Sequence, residues 1–232
     1  MTAARSIPLT VLVVASAAIV PAAVPQAGRL FTTEFAVDPA ELSTTGENPY
    51  FVLEPGFQAE FEGGGARLVI TVTNDVKRVD GVDTRVVEER ETKNGHLIEV
   101  SRNYFAISRR TTAVFYFGED VDMYENDRVV SHEGAWLSGV AGAKYGLMMP
   151  APILIGARFY QEIAPKVAMD RAEVLSMTEI VKTPAGEFRN CVKIEETTPL
   201  EPGVREAKFY ARGIGLVQDG DLKLVKHGRS RN

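Results

Sequence analysis

The chain has 232 residues, of which 45% are apolar, 25% charged and 8% aromatic, with 20 Gly and 12 Pro. This composition excludes collagen-like, mucin-like and disordered chains and fits one ordinary globular domain. With 26 basic against 31 acidic side chains the net charge is -5, which argues against a phosphate backbone, so nucleic acid is not an expected partner.

The amino terminus carries Arg5 and then an apolar run from Ile7 to Val24 without a charge. One cation, an apolar centre and small residues are the layout of a signal peptide, expected over 1–27 with cleavage near Ala22 or Ala27. Pro8 and Pro21 shorten the stretch that runs as one helix, so a retained membrane anchor is the weaker alternative and no stable span is expected after processing. The expected location is therefore exported, periplasmic or secreted. Cys191 is the only cysteine, so no intramolecular disulfide forms, and its flanks carry no nucleophile signature. It reads as a small strand residue.

Residues 28–56 hold Pro39, Pro49, Pro55, Gly46 and Gly56 and read as a mobile lead-in to a β domain over 57–228. From Phe57 the period is two: Phe57, Ala59 and Phe61 alternate with Gln58, Glu60 and Glu62, and Leu68, Ile70 and Val72 share one face of the next run. Asp80-Gly81 and Asn94-Gly95 mark tight hairpins, because both turn residues take positive φ at low cost. Strands are expected over 96–108 and 111–118, so the first half is an antiparallel meander. Residues 136–156 are apolar but broken by Gly and Pro, and are expected to cover the concave side of the sheet. Strands return over 159–163, 172–182, 188–196, 205–211, 215–218 and 222–226. The predicted fold class is all-β with little helix: a single curved antiparallel sheet, or an open half barrel, of about ten strands.

Several segments resemble a family of uncharacterised exported bacterial proteins. Asn48-Pro49-Tyr50-Phe51 and the run from Val79-Asp80-Gly81 to Glu88-Glu89 are similar to its opening. Tyr116-Phe117-Gly118-Glu119-Asp120, Ser131-His132-Glu133-Gly134 and Met149-Pro150-Ala151 resemble its middle, and Thr183-Pro184-Ala185-Gly186 with Tyr210-Ala211 and Gly213-Ile214-Gly215-Leu216-Val217 its close. This last pattern is also similar to that of envelope proteins built as curved half barrels, including lipoprotein carriers. The resemblance implies an apolar cavity. The sequence departs from the pattern at Ser108-Arg109-Arg110-Thr111-Thr112, where a turn rich in Asp, Gly and Asn is expected.

No catalytic or cofactor motif is complete. The acidic run 119–127 lacks the Gly and the terminal Glu of a calcium loop and reads as a solvated turn, and the charge of Glu88 to Glu91 reads as solvated. His132-Glu133 lacks the second His of a zinc helix, so no metal is expected. No Gly-x-Ser-x-Gly occurs, and Gly213-Ile214-Gly215 lacks the third glycine of a dinucleotide loop. No cofactor follows from the sequence. The apolar segment supplies the candidate ligand-binding residues Trp136, Leu147, Met148, Met149, Ile153 and Leu154, with methionine suited to varied apolar shapes. Three functions stay open: a non-enzymatic exported protein holding an apolar small molecule or lipid, a structural or interaction module of the envelope with a filled core, and, third, a hydrolase.

Overall fold

Hairpins account for most of the connectivity. Asp80 (φ 49°) with Gly81 (φ 79°) and Asn94 (φ 50°) with Gly95 (φ 83°) adopt the paired positive φ that twists two strands back on each other. The computed structural model describes residues 30–229, so the expected leader over 1–27 lies outside the described residues. A 3-10 turn at Pro39–Glu41 precedes β1 (Leu42–Ser43), β2 (Glu47–Asn48), β3 (Phe51–Val52), β4 (Phe57–Gly63), β5 (Ala66–Val79), β6 (Val82–Lys93), β7 (His96–Ser108), β8 (Val114–Glu125) and β9 (Arg128–Ser131). Then follow β10 (Trp136–Leu137), β11 (Lys144–Met149), β12 (Arg158–Tyr160), β13 (Glu162–Ile163), β14 (Arg171–Thr183), β15 (Gly186–Thr197), β16 (Glu206–Ala211), β17 (Gly215–Asp219) and β18 (Leu222–Arg229).

Sixteen of these strands join one sheet: thirteen follow the order β12-β14-β15-β16-β17-β18-β4-β5-β6-β7-β8-β11-β13, while β1 pairs with β7, and β9 and β10 pair with β8. The two ends of that order are adjacent in the chain. Around Gln161, β12 pairs with β14 while β13 pairs with β11, and Gln161 N–H donates to the Asp170 carbonyl at 2.8 Å. The sheet therefore curls into a nearly closed antiparallel barrel, which removes its open edges. Gly146 permits the seam: a Cβ there would lie 2.3 Å from the carbonyl oxygen of Gln161. This is more strands and more closure than the ten-stranded open sheet read from the sequence. The segment expected to cover the concave side supplies wall strands instead, since β10 and β11 both pair with β8.

Alternation sets the two faces. Along β4 and β5, Phe61, Leu68 and Val72 are buried inside, while Glu60 pairs with Arg67 on the outside at 2.7 Å. The lead-in packs on this body: Leu53 is fully buried, the Phe51 ring meets Phe105 edge-on at 5.0 Å, and Asn48 Nδ2 donates to the Thr112 carbonyl at 2.9 Å. The divergent turn at Ser108 takes part, because Arg109 N–H donates to the Glu41 carbonyl and Arg110 pairs with the Glu41 carboxylate at 3.0 Å.

Candidate functional site

The inward faces do not fill the barrel completely. A cavity of about 120 Å³ lies between β4 to β7 on one side and β16 and β17 on the other. Its walls are Phe57, Phe61, Ile70, Phe105, Met148 and Leu216, with Phe51 of the lead-in hairpin at the edge. These side chains point inward because each occupies the apolar register of its strand, as Phe61 opposite Leu68 illustrates.

One end of the cavity is polar: Glu89, Lys208, Tyr210 and Asp219 also line it. Strand register gathers them. Val87 and Glu89 follow each other on the inner face of β6, and Lys208 on β16 pairs with Asp219 on β17. The Lys208 Nζ reaches Glu196 Oε2 at 2.7 Å and Asp219 Oδ2 at 3.5 Å. Gln161 Nε2 donates to the other Glu196 oxygen at 2.8 Å, and it also lies 3.6 Å from Met148 Sδ. A continuous polar chain thus runs from the barrel seam to the cavity wall. Farther along the interior, the Glu162 carboxylate accepts from Asp170 N–H at 2.8 Å, and the Tyr116 hydroxyl donates to Asn103 Oδ1 at 2.5 Å.

Burial governs the protonation of this layer. It pushes the Glu89 carboxyl up to about 7; Asp219, Glu99 and Glu91 add to the rise, and Lys208 opposes it. Glu119 is likewise pushed up to about 7, first by burial and then by Glu89. Glu162 rises well above the usual carboxylate range through burial and Asp170. Burial works against the Lys208 ammonium, but Glu196 and Asp219 outweigh it and hold the charge. Among the described residues no hydrogen bond or ion pair reaches the Glu89 carboxyl, which keeps part of its surface open to the cavity. The arrangement is an apolar chamber whose polar end carries two carboxyls, Glu89 and Asp219, and the Lys208 ammonium, which Glu196 also holds. It is suited to hold a small molecule by its body and to address a polar end.

Of the residues singled out from the sequence, Met148 lines this cavity. Trp136 and Met149 are buried in the surrounding core, and Leu147 and Ile153 pack against that core half-buried. Leu154 is 63% exposed and stands apart from the others. Sequence reading missed Glu89, Glu119, Lys208 and Asp219. The run 119–127 lies largely within β8 (Val114–Glu125) rather than in a solvated turn. The available signal was periodicity: Val87, Glu89 and Glu91 fall on one face, and that face is internal. Cys191 is buried on β15, and burial pushes its thiol up, consistent with a packing residue.

Among the described residues no group of three or more His, Cys, Asp or Glu side chains is placed to hold a metal ion, and no helix is long and apolar enough to cross a membrane. Compared with known proteins, the chain matches no family model, no curated protein and no solved structure.

Proposed function

We propose that this protein is a non-enzymatic carrier or receptor that holds a small, mainly apolar molecule inside its barrel. The observation that carries the reading is the cavity of about 120 Å³ walled by Phe57, Phe61, Ile70, Phe105, Met148 and Leu216. Ligand sites are concave and mostly apolar, with a few placed polar groups, and an apolar cavity of about 150 Å³ is large enough for benzene. The apolar leader with its single Arg5 supports export of this binder to the periplasm or the medium.

Native mass spectrometry of protein purified without detergent tests the reading, together with titration by small aromatic probes followed by chemical shift. A co-purifying apolar mass, or saturable shifts confined to methyls and rings of the cavity wall, is the expected result. Repeated absence of both overturns it. The structural-module alternative draws on a different observation, the complete burial of Met149 and the near-complete burial of Trp136 in the core. It is favoured if the chamber stays closed to every probe.

A further inference from the structure

The polar end of the chamber has an unequal charge balance. Lys208 is already held by Glu196 at 2.7 Å and Asp219 at 3.5 Å, so one ammonium faces two carboxylates before Glu89 is counted. Glu89 lines the same cavity and has no hydrogen-bond or ion-pair partner among the described residues. Its other charged neighbours, Glu91 and Glu99, are carboxylates too. A buried carboxyl without a partner is costly, and an entering cation that donates to it removes the cost. An anionic head group would meet repulsion from Glu89 and Asp219 instead, since the one ammonium of the lining, Lys208, is already paired. The walls around Glu89 are apolar rings and aliphatic chains, so the rest of such a ligand must be apolar, and the volume of about 120 Å³ limits it to roughly one ring or a short chain.

From this we infer that the chamber selects a small primary amine with an apolar body, its ammonium paired with Glu89 and its ring or chain among Phe57, Phe61, Ile70 and Phe105. The inference rests on the proposed binding role and adds the chemical class of the ligand. Lys208 then has a positioning part: it holds Glu196 and Asp219 in place and leaves Glu89 as the free acceptor.

The test compares three probes of one shape on the full-length protein at neutral pH and low salt: benzylamine, benzyl alcohol and phenylacetate, titrated by calorimetry. The expected order is benzylamine at least tenfold tighter than benzyl alcohol, with phenylacetate the weakest, since a charge-assisted hydrogen bond in a desolvated site is worth about that factor or more. Glu89→Gln is expected to abolish the preference for the amine, and a circular dichroism spectrum unchanged from that of the native protein shows that the variant is folded. Equal binding of amine and alcohol by the native protein, or a preference that survives Glu89→Gln, overturns the amine inference but leaves the cavity reading standing. Failure of all three probes to bind overturns both.

Discussion

Neighbouring acids on β8 meet opposite fates. Glu119 faces the interior, and burial pushes its carboxyl up to about 7. Asp120 faces outward, where burial is outweighed by the hydrogen bonds from Lys77 at 2.7 Å and from Tyr104 at 2.5 Å, and its carboxyl is held below the ordinary range. The same contrast divides the two lysine clusters. Outside, Lys77 and Asp120 have side chains 34% and 49% exposed; inside, Lys208 is held by Glu196, itself only 8% exposed. A one-residue step along a strand reverses the face, so it exchanges solvent screening for desolvation. Charge on this protein therefore has no single meaning: on the outer face it gives solubility and weak pairs, and on the inner face it forms a poised layer beside an apolar chamber.

The largest effect that can break this comparison is expected from Lys208→Met. Removing the internal ammonium leaves Glu196 and Asp219 as uncompensated carboxylates, a loss of roughly 3–5 kcal/mol in urea unfolding at pH 7. The loss should shrink as pH falls, because burial raises the Asp219 carboxyl and its protonation removes an uncompensated charge; equal loss at pH 7 and pH 5 contradicts the electrostatic account. Next comes Met149→Ala. The residue is fully buried, so a cost of about 2–5 kcal/mol is expected from lost packing and the new void. An unchanged unfolding midpoint would show that this wall is loose.

A smaller effect concerns pH. Because the folded-state pKa of Glu89 is raised, the native state binds the proton more tightly than the unfolded chain does. Its contribution is present below the unfolded carboxyl pKa and is lost as pH rises through about 7. Stability should fall between pH 5 and 8 by on the order of 2 kcal/mol from this group, and Glu89→Gln should flatten that slope. A slope unchanged in the variant places the titration elsewhere. The smallest effect is expected at the outer counterpart: Lys77→Met should cost no more than about 1 kcal/mol, because its pair is exposed. A cost equal to that of Lys208→Met would erase the distinction between the faces.

Much of the strand pattern was legible in the residues. Phe57, Ala59 and Phe61 against Gln58, Glu60 and Glu62 show a two-faced strand without any tertiary information, and Asp80-Gly81 and Asn94-Gly95 announce their turns through a backbone demand that few residue pairs satisfy. The candidate site was much less legible. Met148 was recognised as apolar wall, but Leu154, of similar character and six residues on, stands in solvent, because the chain leaves the barrel after β11. Glu89 and Glu119 looked like ordinary surface acids, since an acid at an alternating position is usually the wet one.

By itself the sequence determined the local elements: extended chain, tight reversals and antiparallel neighbours, all set by interactions between residues close along the chain. Only the tertiary structure decided that the sheet closes. The pairs that close it, β18 with β4, β12 with β14 and β13 with β11, join segments that no local pattern links. Closure then turned one face of every strand into an interior and made Glu89, Glu119 and Lys208 internal. A side chain's period states which face it shares, while enclosure by distant strands sets the dielectric that face experiences.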